Sequence, residues 1–152
     1  MSTPRPCSIA ATLGVIGEKY SLLVLREVFF GVRRFNDMAR NIGAPRDVLT
    51  ARLNHLVEAG VLEKVAYHQR PPRYEYVPTV AGRELQEVLL TLLSWGDRHL
   101  ADRPPLIFEH SCGDDFEAMV VCRACGGEAV PGSLDPHFQV EGWNQAGRVS
   151  LE

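Results

Sequence analysis

At 152 residues and 45% hydrophobic content, the chain can bury one sizeable core with a small appendage, and its ordinary composition excludes global disorder. Its one apolar run near the N-terminus, 9–16, is too short to span a bilayer and lacks a signal peptide's basic lead, so a cytoplasmic protein without membrane contact is expected. The net charge of −3 counts against a nucleic-acid binder until its distribution is read. Residues 1–104 carry 14 Lys/Arg against 11 Asp/Glu, residues 105–152 carry 2 against 8, and the stretch 33–73 carries 8 against 4. Phosphate binding needs a local positive field, because screening limits reach to about 8 Å.

Taken in chain order, 8–17 reads as a short apolar helix ending near Gly14 and Gly17. A second helical pattern follows over 20–30, with Ser21 or a neighbour as its cap and Gly31 at its stop. A third, 35–42, closes at Gly43; Pro45 then suits a first helical turn, and a fourth runs to Ala59 before Gly60. Leu49, Leu53 and Leu56 fall on one face of that fourth helix. Two helices joined by a tight Gly-containing turn form a helix-turn-helix candidate. After Gly60 the period changes to about 2. The segments 61–67 and 74–77 read as paired strands around 68–73, which is polar, basic and stiffened by Pro71 and Pro72: the sequence form of a wing. Thr79 caps a long helix to about Leu100, in which Leu85, Val88, Leu92, Trp95 and His99 keep heptad spacing. This stripe serves either core packing or a dimer interface, and its width favours the dimer.

The run Cys7-Ser8-Ile9, then 16–27 (Ile16-Gly17-Glu18-Lys19-Tyr20 onward), resembles the opening of HxlR-type regulators. Gly31-Val32-Arg33-Arg34-Phe35-Asn36-Asp37, the stretch 48–53, and Pro71-Pro72-Arg73-Tyr74-Glu75-Tyr76 through Trp95-Gly96 continue the likeness, which covers residues 7–100. Glu18 stands where the family usually has glycine, and Tyr20 where it has tryptophan. The resemblance implies a mainly α winged helix-turn-helix protein of MarR-like type, a homodimeric bacterial repressor or activator of nearby genes.

The mechanism expected of such a fold can be placed on residues. With the three leucines inward, a helical step of about 100° turns Asp47, Ala51, Asn54 and Glu58 outward, with Thr50 beside them and Arg46 at the helix start. Arg46, Asp47, Thr50 and Asn54 are therefore the candidates for base edges in the major groove of double-stranded DNA. Arg52 flanks the leucine face and suits a structural ion pair. Arg33 and Arg34 before the first motif helix suit backbone phosphates, and Arg70 and Arg73 on the wing suit phosphates or the adjacent minor groove; each is alternatively a solvated charge. Cys7 corresponds to a cysteine that some HxlR-type proteins use to sense oxidants or electrophiles. Sensing needs an accessible low-pKa thiolate, and the alternative is an unreactive packed thiol.

Residues 105–152 form a second unit, expected to be a small β-rich tail with 116–121 as a returning strand and 137–140 as a possible further one. Here His110-Ser111-Cys112-Gly113 is followed by Cys122-Arg123-Ala124-Cys125-Gly126-Gly127, a Cys-x-x-Cys-Gly turn of zinc-knuckle shape. His110, Cys112, Cys122 and Cys125 together supply the four ligands of a closed structural zinc site; a redox dithiol at Cys122 and Cys125, or plain loop thiols, are the alternatives. DNA binding itself needs no cofactor, and no feature identifies a small-molecule effector. Two other functional classes stand beside the regulator: a thiol oxidoreductase using Cys122 and Cys125, and a winged-helix interaction adaptor without an operator. No catalytic constellation is present in the sequence, so an enzyme is not expected.

Overall fold

A computed structural model of the chain describes residues 5–141 and 143. The elements run α1 (Ser8–Ile16), α2 (Lys19–Phe29), α3 (Phe35–Ile42), α4 (Arg46–Glu58), β1 (Leu62–Gln69), β2 (Pro72–Pro78) and α5 (Val80–His99). Among the described residues, five helices and one two-stranded antiparallel sheet make a winged helix, in the order expected from the periodicity. The core is built where that periodicity placed it: Leu49, Leu53 and Leu56 of α4 are buried with Val24, Leu25 and Val28 of α2, Met38 of α3, and Leu62 and Tyr76 of the sheet. Among the described residues no single helix is long and apolar enough to cross a membrane.

Chain reversals set the angle between helix and wing. Gly60 takes a left-handed φ of 70°, which a side chain resists. Its N–H donates to the Val57 carbonyl and that of Val61 to the Leu56 carbonyl, so the last carbonyls of α4 are satisfied while the chain turns straight into β1. Thr79 caps α5 as expected: its Oγ1 accepts from Gly82 N at 3.1 Å and donates to the Gly60 carbonyl at 2.6 Å. Gly82 itself lies so close to β1 that a Cβ would stand 2.1 Å from the Val61 carbonyl oxygen, which is why α5 can seat on the wing only through glycine.

Several local expectations are corrected. Ser21 does not cap α2; Glu18 holds that position, and Ser21 is buried inside the helix. Pro45 stands at the N-cap of α4 rather than within its first turn. The wing strands extend beyond 61–67 and 74–77 because Gln69 pairs with Pro72 and His68 with Arg73, and His68 Nδ1 hydrogen-bonds the Pro71 carbonyl at 2.9 Å; the loop shrinks to Arg70-Pro71. The described part of the tail is not β-rich: neither 116–121 nor 137–140 forms a strand, and only the isolated bridges Glu109–Asp115 and Val121–Glu128 occur. The reason lies in α5, whose Ser94 Oγ accepts the Ala118 N–H at 2.9 Å and whose Arg98 pairs with Glu117 at 2.6 Å, so 117–118 is bonded to a helix instead of a neighbouring strand. The heptad stripe of α5 also divides. Leu85 packs on the core, whereas Val88, Leu92 and Trp95 are 41%, 48% and 51% exposed, with His99 against the Trp95 ring.

Candidate nucleic-acid interface

The outer side of α4 carries Arg46, Asp47, Thr50 and Asn54, all exposed, opposite the buried leucines. Local contacts orient this arc. The Arg46 guanidinium lies over the Phe35 ring, 4.7 Å from its centroid, and donates to Asn36 Oδ1 at 3.1 Å, which fixes the start of α4 against α3. Thr50 Oγ1 donates to the Arg46 carbonyl at 2.7 Å. Its proton is thereby used inside the helix, leaving the hydroxyl as an acceptor and the methyl group as an apolar contact for a thymine methyl. Asn54, with an amide that can both donate and accept, matches the Hoogsteen edge of adenine, and Asp47 matches the amino group of cytosine.

Wing and α3 supply the charge. The four arginines proposed for phosphates differ in their surroundings. Arg33 is exposed at its side chain while its carbonyl accepts the Tyr76 N–H at 2.9 Å, which ties the α3 entrance to β2. Arg34 donates to Glu75 Oε1 at 3.0 Å and stacks 4.4 Å above the Tyr67 ring; the Glu75 carboxylate holds its pKa above the ordinary arginine value. Arg70 and Arg73 are exposed at the wing tip, and among the described residues Arg33, Arg70 and Arg73 have no ion-pair or hydrogen-bond partner for their guanidinium groups. Between α3 and the wing lies a cleft of about 570 Å³, where Arg34, Arg40, Lys64 and Arg73 converge with Tyr67 and Tyr74, Asp37 pairing with Arg40 at 3.5 Å. Sequence reasoning missed Arg40 and Lys64 in this group, because their convergence depends on how the hairpin folds back over α3. Arg52, half-buried on α4, flanks the leucine face, but among the described residues its guanidinium has no ion-pair partner, so the expected structural pair does not form.

The cysteines lie elsewhere. Cys7 occupies the N-cap of α1 and is partly exposed, although its side chain makes no capping bond. His110 Nδ1 is 3.2 Å from Cys112 Sγ in one tail turn. Cys122 and Cys125 share a second turn, in which Gly127 N donates to Cys125 Sγ at 3.4 Å. Backbone N–H groups of Cys125 and Ala124, with the Cys125 thiol, pull the Cys122 pKa below the ordinary thiol value. Among the described residues no three His, Cys, Asp or Glu side chains gather closely enough to hold a metal ion, so the two turns stand as separate pairs.

A recognition helix with a polar outer arc, a preceding helix packed across it and a basic hairpin define the winged helix-turn-helix class. The HxlR-like helix-turn-helix family model matches residues 15–104, and the chain belongs to this family. A relative in Mycobacterium tuberculosis, named as an uncharacterized HTH-type transcriptional regulator, is 42% identical over 132 residues, covering 85% of this chain and 84% of that one. The crystal structure of PA1607, described as a candidate transcription factor, superposes with a TM-score of 0.76 at 27% identity over 86% of this chain and 94% of the other. The redox regulator HypR in its oxidized form matches at a TM-score of 0.57 and 31% identity, over 62% of this chain and 99% of HypR. The chain is thus a transcriptional regulator of HxlR/MarR-like type and not an enzyme, which removes the thiol oxidoreductase alternative.

Proposed function

We propose that the chain is a cytoplasmic homodimer that binds a pseudo-palindromic operator, α4 entering the major groove and the wing lying on the flanking backbone. The observation that carries this reading is the exposed arc Arg46, Asp47, Thr50 and Asn54, aligned beside a wing whose arginines are unneutralised. For the dimer, the exposed Val88, Leu92 and Trp95 of α5 and Ile9 and Leu13 of α1 supply apolar surface that two-fold pairing would cover. Fluorescence anisotropy against the upstream intergenic duplex and a scrambled duplex tests it. Asn54→Ala is expected to reduce the preference between the two by about tenfold, roughly one bidentate base contact, while leaving non-specific binding unchanged. Equal affinity of the wild type for both duplexes, and for members of a random-sequence pool, would favour the adaptor reading instead. Cys7, at the N-cap of α1, is the position at which we place oxidant sensing.

A second proposal concerns the tail. The N–H groups aimed at the sulfurs of the Cys122–Cys125 turn support zinc as its ligand, with His110 and Cys112 completing the set if the metal draws the two turns together. Metal analysis of the full-length protein is expected to find about one zinc per chain, lost in Cys125→Ser. Metal-free protein with an unchanged circular dichroism spectrum and thermal transition would overturn it.

A further inference from the structure

The tip of the wing carries a titratable ring beside its two free arginines. β1 and β2 close on Arg70-Pro71, with Gln69 set across from Pro72 and His68 across from Arg73. The ladder shifts register between Ala66 and His68, and such a bulge bends a strand and re-aims the side chains next to it. His68 is exposed, and its Nδ1 lies 2.9 Å from the Pro71 carbonyl oxygen. A carbonyl only accepts, so Nδ1 carries the proton of this bond whether the ring is neutral or charged. One edge of the imidazole therefore braces the tip that presents Arg70. Nε2, on the other edge, has no hydrogen-bond partner among the described residues.

With Nδ1–H committed to Pro71, any change of charge falls on Nε2. In the neutral ring Nε2 offers a lone pair, which a phosphate oxygen repels. In the imidazolium it offers a positively charged N–H, which a phosphate oxygen accepts as a short, charge-assisted hydrogen bond. Histidine is the side chain that makes this change between about pH 5 and 8.

The surrounding charges decide which form the chain favours by itself. Arg70 and Arg73 flank the ring and repel a third cation. The carboxylates on the packed elements are engaged elsewhere: Glu75 of β2 by Arg34 at 3.0 Å, Asp37 of α3 by Arg40 at 3.5 Å, and Glu27 of α2 by Arg26 at 2.7 Å. Glu63 stands five residues up β1, about 17 Å away at about 3.4 Å per residue, beyond the screening length of about 8 Å. Glu58, at the end of α4, precedes it in the chain and lies farther still. Among the cations, Lys64 sits over the Tyr74 ring, and Arg83 of α5 donates to the Pro78 carbonyl at the far end of β2. None of the ion pairs among the described residues includes His68. An anion that holds a proton on this ring has to come from outside the chain.

We propose that His68 is a phosphate ligand of the wing, engaged as the imidazolium, so that DNA binding takes up a proton from solvent at each wing. The assignment rests on the operator-binding reading above. Its test is anisotropy titration of the full chain at pH 6.0 and 8.0, at one ionic strength, against the upstream intergenic duplex and a scrambled one. The wild type is expected to bind both duplexes at least about tenfold more tightly at pH 6.0, about threefold for each of two wings. Its salt slope is expected to be steeper there by about 2 per dimer. His68→Asn places an amide N–H where Nδ1–H stands and does not titrate, so it should show the wild type's pH 8.0 affinity at both pH values. His68→Arg, a fixed cation, should show the tighter affinity at both. Circular dichroism establishes that each variant folds as the wild type does.

A wild-type affinity indifferent to pH, or a pH dependence that survives in His68→Asn, would overturn the assignment and leave operator binding intact; the second result would move the proton to another histidine, such as His55 of α4. A pH effect confined to the intergenic duplex would set the ring against a base edge and overturn the phosphate contact. No binding to either duplex at either pH would overturn the operator reading and this assignment together.

Discussion

Leu53→Ala is expected to lower the unfolding free energy by about 2–5 kcal/mol, while Asn54→Ala, one residue along the same helix, changes it by less than about 0.5 kcal/mol. Leu53 is fully buried between Leu49 and Leu56 on the face of α4 that packs against α2, and its truncation leaves a cavity that two fixed helices cannot collapse into. Against a typical domain stability of about 5–15 kcal/mol, that loss is a large share of the whole. Asn54 is exposed and removes no core contact. Urea unfolding followed by circular dichroism, at a fixed protein concentration because pairing adds to apparent stability, separates the two. Similar midpoints for the two variants would mean that α4 is not seated through its leucines. The contrast also assigns a cause to any DNA-binding defect: an Asn54 variant that binds poorly does so as a folded protein.

The helix-turn-helix and wing were legible because each depends on local periodicity. Leu49, Leu53 and Leu56 announce a buried helical face, the change to period 2 after Gly60 announces strands, and Thr79 ahead of the apolar stripe of α5 announces a cap. What was not legible depends on tertiary encounters. The Arg34–Glu75 pair joins residues 41 apart, and it turns one expected phosphate ligand into a partly neutralised one. Strand formation in the tail was overestimated, because the mostly apolar run 116–121 does not reveal that Ser94 and Arg98 of α5 bind the chain there instead. The buried Glu27 had a fainter signal, a carboxylate within an otherwise apolar helical run, but its partner Asn41 lies on another helix.

That difference among the arginines yields the other large effect. Arg73→Ala is expected to weaken binding to specific and scrambled duplexes alike, and to reduce the slope of log affinity against log salt by about 2 per dimer, one phosphate contact from each wing. Arg70→Ala should behave similarly. Arg34→Ala should do less, because Glu75 already offsets its charge at 3.0 Å and the substitution leaves that carboxylate unpaired. Glu75→Gln reverses that balance: Arg34 loses its hydrogen-bonded partner and keeps the weaker pull of Asp37, beside Lys64 and Arg73, and both the affinity and the salt slope should rise. Titrations of the four variants at several salt concentrations distinguish a charge effect from a loss of fold, since a misfolded wing lowers affinity without the paired, opposite changes at Arg34 and Glu75. Should Arg34→Ala prove as damaging as Arg73→Ala while Glu75→Gln has no effect, the Arg34–Glu75 pair would have to open on DNA, and the phosphate would be reached through the α3–wing cleft and not from the hairpin tip. The sign of the Glu75→Gln change therefore decides which side of the wing carries the backbone.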